Sequence, residues 1–325
     1  MLLPVPSPSS TPGGVDVTVS IVCGGDTAPL LDCLASLPAA AGGCSSEVVV
    51  VDNASQHSLG DVAERHPEVR IVRSERRLGF GANHNAATAD ARGRHLFVLN
   101  DDTLLHPGCI DRLVRFLDQN PALAVAGPRI YHGDGRQQPS AFHFPTPARV
   151  ALTAATLQRA GWVLSAGERI RRVDWVHGAA LMVRTQAFRE VGGFDERFFM
   201  YLEDVDLCRR LRDRGWEVAF FPPASLVHLE NRSTAAVPEQ RVYQHARSRS
   251  LYAAKHHGTA GRRAVIGMTV AMWGGRVAAA GLLGRPRPQR ALFRAQLRAA
   301  RDPHARPAVE DAAADHNQQL DRVAS

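Results

Sequence analysis

The sequence predicts an α/β protein: a doubly wound, mostly parallel sheet with helices on both faces, followed by a basic helical C-terminal module. Three observations predict it. Short apolar, β-branched runs alternate with stretches of helical spacing, which is how parallel strands joined by crossover helices read. Two of these runs stop at acid, Val48–Val51 at Asp52-Asn53 and Leu96–Leu99 at Asn100-Asp101-Asp102. The charge is also segregated. Of a net +7, the stretch from Arg241 to Arg301 holds twelve Arg, one Lys and no acid, so it carries +13 and the remainder −6.

Taken in order, Val17–Val22 alternates and then runs apolar, the mark of a first strand, and Leu30–Leu37 follows with helical spacing. Val48–Val51 is four β-branched residues in a row, a second strand buried on both faces. Asp61–Arg65 reads as a short helix, Val69–Val72 as a third strand, Asn83–Ala91 as an Ala-rich helix and Leu96–Leu99 as a fourth strand. Ile110–Leu117 is helical, with Val114 and Leu117 on one face. Ile130–Pro147, with its Gly, Pro, Gln and His, reads as a loop able to shape a pocket, and Val173–Val183 as a loop entering a buried strand. After the aromatic segment Phe194–Phe199, Leu207 and Leu211 are spaced for one helix face that starts near Glu203.

The 325 residues are enough for a large core, and 45% hydrophobic with 22% charged residues is ordinary for a globular chain. The five cysteines (23, 33, 44, 109 and 208) form no CxxC pair, so free thiols in a reducing compartment are expected. The Pro/Ser-rich start lacks a basic n-region and an apolar h-region, so it reads as a disordered lead-in and not a signal peptide. These features divide the chain into a lead-in (1–15), an α/β domain (16–235), a basic helical module (236–305) and a tail (306–325). The basic module suits an anionic membrane surface, a lipid pyrophosphate or a nucleic acid, and a cytoplasmic protein, at the inner face of the cell membrane where the module docks on lipid, is the expected setting.

Acids just past a strand's carboxyl end lie where open α/β sheets bind their ligands. Asp101 and Asp102 repel each other there unless a cation or a hydrogen-bonding ligand is present, and a divalent ion holding a phosphate answers that need. Both residue types also make turns and caps. Gly79-Phe80-Gly81-Ala82-Asn83 lacks the third glycine of a dinucleotide fingerprint, since His84 stands in its place. It reads instead as a tight loop whose backbone and Asn side chain meet a nucleotide phosphate or ribose. Glu203-Asp204 is a candidate for proton chemistry: the preceding Phe198–Leu202 is too apolar for a solvated face, and a carboxylate on an apolar shelf is costly without a partner. The alternative is helix capping with ion pairs to Arg209 or Arg210. His228 is a structural histidine or, with a carboxylate, a ligand suited to Mn²⁺.

In this order the pieces resemble the inverting family 2 glycosyltransferases of the GT-A fold, above all bacterial rhamnosyltransferases that build cell-envelope glycans. The likeness is carried by Val48–Ser55, Leu78–Asn83, Leu99–Thr103, Gly178–Leu181, Gly193–Glu196, Phe198–Leu207 and His228, and spans about residues 17–233. The resemblance implies a nucleotide-sugar donor (dTDP-rhamnose, or a UDP-sugar) and a hydroxyl acceptor on a cell-envelope glycan or polyprenyl diphosphate. Asp52, with Asn53 beside it, would meet the pyrimidine base, Asp101 the ribose or sugar-phosphate, and Gly79 and Asn83 the donor. Asp102 and His228 would bind Mn²⁺ or Mg²⁺. Asp204 would be the general base, supported by Glu203, and Trp175 and Gly178 would line the acceptor or sugar pocket. One displacement with one base inverts the anomeric centre without a covalent intermediate. The family usually carries an aromatic residue and Asn after its first strand, where this chain has Cys23-Gly24-Gly25-Asp26.

Two rivals fit less well. A sugar-1-phosphate nucleotidyltransferase needs a glycine-rich loop with a cation after the first strand, and here Asp26 stands in that place. A nucleic-acid-binding protein using the Arg-rich module would leave both acidic strand ends unexplained, so no nucleic-acid partner is expected. Ala264–Gly284 is apolar but interrupted by Arg276, which argues against a membrane span. Arg290, Arg294, Arg298 and Arg301 recur at helical spacing, a stripe fit for an anionic bilayer or for solvent.

Overall fold

The structure, a computed structural model, describes residues 14–55, 59–146, 148–149, 162–230 and 238–282, the side chains of 238–242 and 272–282 excepted. Val17–Cys23 (β1) pairs in parallel with both Ser46–Asn53 (β2) and His95–Asn100 (β4), and β2 pairs in parallel with Arg70–Ser74 (β3). Ala180–Arg184 (β11) runs antiparallel between β4 and Leu123–His132 (β6). Glu217–His228 (β12) returns parallel to β6, and Thr103–Leu105 (β5) closes the edge antiparallel to β12. The sheet order is therefore β3-β2-β1-β4-β11-β6-β12-β5. Gln137–Gln138 (β7) pairs with β6 and Arg171–Val173 (β9) with β12, while Ala141–Phe142 (β8) and Trp175–Val176 (β10) form a small separate ribbon.

Period-two alternation decides which face each strand residue serves. Val17, Val19, Ile21 and Cys23 of β1, with Phe97 and Leu99 of β4, join the helices Thr27–Ala41 (α1) and Cys109–Gln119 (α4) in one core. Leu96 and Val98 point the other way, into a second core with Thr185–Glu190 (α5) and Glu203–Asp213 (α6). Burial on both faces is why β4 reads as an unbroken apolar run, while in β1 Thr18 and Ser20 are the buried polar residues of the second face. Gly60–Arg65 (α2) and Phe80–Thr88 (α3) complete this part, and Ala87 of α3 packs on Val49 and Val51. Asp26 is spent on capping α1, its side chain accepting from Ala28 N at 3.0 Å.

Two segments differ from expectation. The stretch 130–147 is not all loop: Ile130–His132 ends β6, and β7 and β8 follow. Its partner β12 lies about ninety residues on, so the pairing left no local periodicity to read. The helix expected over Asn83–Ala91 begins earlier, at Phe80, and takes in most of the expected tight loop. The C-terminal helix Pro238–Leu282 (α7) includes the basic stretch 247–257 and changes direction at Gly258 (φ 64°, ψ −165°), a backbone state glycine adopts without penalty. Among the described residues no helix is long and apolar enough to cross a membrane. The stripe Arg290–Arg301, the tail 306–325 and residues 1–13 of the lead-in lie outside the described residues.

Candidate active site

The parallel register brings three strand ends level, since Cys23 pairs with Asp52 and Val22 with Asn100. Asp52 is buried at the end of β2, where its Oδ1 accepts from Ser55 N at 2.9 Å and its Oδ2 lies 3.7 Å from the guanidinium of exposed Arg73. Asp101 follows β4 beside Cys23. Burial, and then the charge of Asp102, push its carboxyl up to about 7. The repulsion expected between adjacent acids is thus built into the folded site.

Asp102 and His228 meet across the β5–β12 pairing, which sets His228 opposite Thr103 and lets Leu229 N donate to Asp102 O at 2.9 Å. His228 Nε2 lies 3.2 Å from Asp102 Oδ1. Its Nδ1 is 3.1 Å from Gln138 Oε1, whose own amide donates to Glu230, so the network assigns the ring proton to Nδ1. Nε2, 3.3 Å from Asn100 Nδ2, faces that carboxylate oxygen. So close a pair calls for positive charge between them, a proton on Nε2 or a metal cation. An imidazole whose other nitrogen donates to a fixed acceptor is also the usual arrangement of a metal ligand. Among the described residues no three His, Cys, Asp or Glu side chains gather into a ready cage. The pair therefore fits a divalent ion only if substrate oxygens complete its shell, as diphosphate does for Mg²⁺ and its analogues.

Glu203 and Asp204 open α6, both buried. Tyr201 (φ 70°) and Leu202 (φ 65°), two consecutive non-glycine residues in the left-handed region, turn the chain into this helix. Such backbone costs about 1–3 kcal/mol per residue and persists only where its surroundings impose it, as active sites do. Asp204 Oδ2 accepts from Gly178 N and Oδ1 from Val205 N, each at 2.8 Å. Burial still pushes its carboxyl up to about 6, since these amides offset desolvation only in part. Glu203 is driven well above the carboxylate range by burial and by the charge of Asp204. Its Oε2 has no hydrogen-bond partner among the described residues. The two environments differ: burial and the neighbouring charge bias Glu203 strongly toward its protonated form, while two backbone amides hold the carboxylate of Asp204.

The remaining expected residues shape the walls. Asn53 Nδ2 donates to Leu78 O at 3.1 Å and its Oδ1 accepts from Leu78 N at 2.8 Å. Fully buried Asn83 donates to Leu78 O and Gly79 O at 3.1 and 2.9 Å. Both amide nitrogens are thus committed to the Leu78–Gly79 backbone, and Asn83, from inside the fold, shapes this segment while its Oδ1 finds no partner among the described residues. Gly79 is required by a close approach, since a Cβ there would stand 2.5 Å from Phe199 O. Gly178 sits directly under Asp204, where a Cβ would meet Oδ2 at 3.3 Å. Half-buried Trp175 stacks on Phe142 (centroids 4.3 Å apart) and donates to His143 O at 2.9 Å.

Sequence reasoning missed His177 and Gln138. His177 precedes Gly178, and its ring centroid is 6.2 Å from that of His228, so consecutive residues join the Asp102–His228 station to Asp204. Its Nδ1 accepts from Ala179 N at 3.0 Å, and burial, then His228, lower its pKa to about 4, which keeps it neutral. The signal was its place beside a glycine already singled out. Gln138, on a two-residue strand, left no signal. A cavity of about 540 Å³ lies at the opposite edge of the sheet, lined in part by Arg94, His95, Asp118 and Arg184. Arg94 is paired with Asp16 and Asp118, and Arg184 donates to Asn120 O after α4 and to Leu123 O at the start of β6, so this is a packing recess remote from the acidic strand ends.

The profile of the family described as "Glycosyltransferase like family 2" matches residues 12–249, most of the chain. The chain belongs to the family 2 glycosyltransferases. This glycosyltransferase is 34% identical over 230 residues to the N-acetylglucosaminyl-diphospho-decaprenol L-rhamnosyltransferase of Mycobacterium tuberculosis (strain H37Rv), covering 65% of this chain and 75% of that protein. It is also 34% identical over 83 residues to the rhamnosyltransferase WbbL of Escherichia coli (strain K12), covering 26% of this chain and 31% of that one. In structure it resembles residues 1–349 of S. aureus TarS (TM-score 0.55, 12% identity, 90% of this chain and 82% of that one). A Pyrobaculum calidifontis mannosyltransferase in complex with GDP-Man and Mn²⁺ is similar as well (TM-score 0.53, 18% identity, 87% and 85%). At such identities the structural neighbours speak for the fold alone, and that fold is GT-A. The rhamnosyl- and hexosyltransferases among its relatives place this glycosyltransferase among enzymes.

Proposed function

We propose that this enzyme transfers rhamnose from dTDP-rhamnose, with inversion and with a divalent metal, to a sugar hydroxyl of a polyprenyl-diphosphate-linked acceptor in cell-envelope glycan synthesis. The observation that carries it is the short span between two chemically distinct stations. The acceptor pair Asp102–His228 suits a cation and a diphosphate, and two residues, His177 and Gly178, link it to the buried carboxylate of Asp204. A glycosyl transfer needs those two stations, one for the leaving group and one for the incoming hydroxyl. The mycobacterial relative, named for rhamnosyl transfer to N-acetylglucosaminyl-diphospho-decaprenol, supports the choice of donor and acceptor.

In this reading Asp52 and Asp101 face the nucleoside from the ends of β2 and β4, and the Leu78–Gly79 backbone fixed by Asn53 and Asn83 forms the wall beside them. Asp102 and His228 would hold Mn²⁺ or Mg²⁺, which when bound supplies Lewis-acid stabilisation of the departing diphosphate. Asp204 accepts the acceptor's hydroxyl proton as its oxygen approaches the anomeric carbon on the face away from the diphosphate, and Glu203, protonated, leaves the negative charge on Asp204. Trp175 and Gly178 border the acceptor side. The domain at 16–235 would then be the catalytic unit, and the basic module at 236–305 would rest on an anionic membrane surface where such acceptors reside, on the cytoplasmic side.

The test is turnover by the full chain of dTDP-rhamnose, UDP-glucose and GDP-mannose with a short-chain polyprenyl-diphospho-N-acetylglucosamine, with Mn²⁺ or with EDTA. Product linkage is read by NMR. Mn²⁺-dependent transfer from dTDP-rhamnose with inverted anomeric configuration is expected. Retention of configuration, or turnover of another donor in its place, overturns the reading.

A further inference from the structure

The segment that delivers Glu203-Asp204 is held from outside by the proximal half of α7. Lys255 Nζ lies 2.6 Å from Asp195 Oδ2 and 2.7 Å from Asp206 Oδ1, so one ammonium joins carboxylates near the two ends of the segment 195–206. His256 Nε2 meets the same Asp206 oxygen at 2.7 Å, and Arg210 takes the other at 2.7 Å. Between those ends, Ser248 Oγ donates to Met200 O at 2.8 Å and an Arg247 nitrogen to Arg197 O at 3.0 Å. His245 stacks on Tyr201 with centroids 4.3 Å apart, and Leu251 and Tyr252 pack on Phe198, Leu202 and Val205. Every one of these contacts falls on the approach to the strained Tyr201-Leu202 turn or just beyond it. None touches Asp102 or His228.

We propose that residues 245–256 of α7 form a strap that holds Asp204 in register for proton transfer, and that Lys255 is the positioning residue that closes it. This rests on the reading of Asp204 as the base. Backbone at left-handed angles relaxes when its surroundings release it, and relaxation here carries Asp204 away from Gly178 N. A base displaced by an ångström costs about 10²-fold in turnover. The donor station, built on other strands, keeps its affinity.

Lys255→Met keeps the apolar stem and leaves Asp206 with Arg210 and His256, so the fold survives. Lys255→Arg keeps the bridging charge. Turnover of dTDP-rhamnose with the short-chain acceptor, and amide hydrogen exchange of residues 200–206 without substrate, are read on wild type, both variants, Ser248→Ala and Asp204→Asn. The proposal expects Lys255→Met to lower kcat by about 10- to 100-fold with donor KM within twofold of wild type. It expects faster exchange at 200–206, most activity restored in Lys255→Arg, and a smaller kcat-only loss in Ser248→Ala. Unchanged kcat or unchanged exchange in Lys255→Met overturns it, as does a matching loss of donor affinity. An Asp204→Asn variant that still turns over removes the base reading and the strap with it, whereas an inactive Asp204→Asn beside an unimpaired Lys255→Met removes the strap alone.

Discussion

His228 faces Asp102 at 3.2 Å although 126 positions separate them, because β5 pairs antiparallel with β12 and so sets the end of one strand against the start of the other. A three-residue strand therefore decides where the paired acceptors stand. In the proposed mechanism it is also what gathers the groups that hold the leaving diphosphate.

Asp102→Asn removes one of the two facing acceptors. Wild type with Mn²⁺ and dTDP-rhamnose at about 100 times its Kd should gain about 2.7 kcal/mol, a rise of a few degrees in Tm. The variant should show no Mn²⁺-dependent shift while keeping its unliganded Tm within a few degrees of wild type. Differential scanning fluorimetry reads both.

Asp204→Asn should lower kcat by about 10²- to 10⁴-fold, the ordinary share of a general base, with donor affinity retained. Because burial raises the Asp204 carboxyl to about 6, the base is protonated below that pH and the wild-type rate should fall as pH drops through it. Glu203→Gln imitates the protonated partner, so its acid limb should stay in place. A limb that moves by a full pH unit in Glu203→Gln would assign the ionised role to Glu203.

Gly79→Ala puts a methyl 2.5 Å from Phe199 O, a backbone atom that gives way only by moving the loop. A loss of about 1–3 kcal/mol, the usual cost of overpacking, is expected from urea unfolding. The same change should lower kcat, because Phe199 precedes the turn into Glu203.

Asp206 is fully buried, and burial alone would raise its carboxyl. The His256 hydrogen bond, with Arg210 and Lys255, more than offsets this and holds the group below the carboxylate range. A lowered folded pKa means a contribution to stability that is present above the unfolded value of about 3.9 and is lost as pH falls through the folded one. The difference in unfolding free energy between wild type and Asp206→Asn should be largest near neutral pH and shrink below about pH 4. A gap that stays constant down to pH 2 would refute the linkage.

What was legible depended on how local the signal was. Val48–Val51 and Leu96–Leu99 read as strands because burial on both faces demands apolar residues at every position, and the acids that end them mark the carboxyl edge. Glu203-Asp204 stood out because charge directly after Phe198–Leu202 has no solvated alternative. The helix at Phe80 was misplaced by three residues, since what starts it is the approach of Gly79 and Gly81 to Phe199 and Phe194, more than a hundred positions away. Asp26, which stands where the family pattern departs after the first strand, caps a helix.

By itself the sequence determined the alternating α/β architecture, the acidic strand ends, the family and the contrast between an acidic α/β part and a basic C-terminal stretch, since all of these follow from patterns a few residues long. Tertiary structure alone decided which strand ends meet, how differently Glu203 and Asp204 are held and what packs on their segment. Each of those is fixed by desolvation and by contacts between distant strands and helices, and neither is written into any local run of residues.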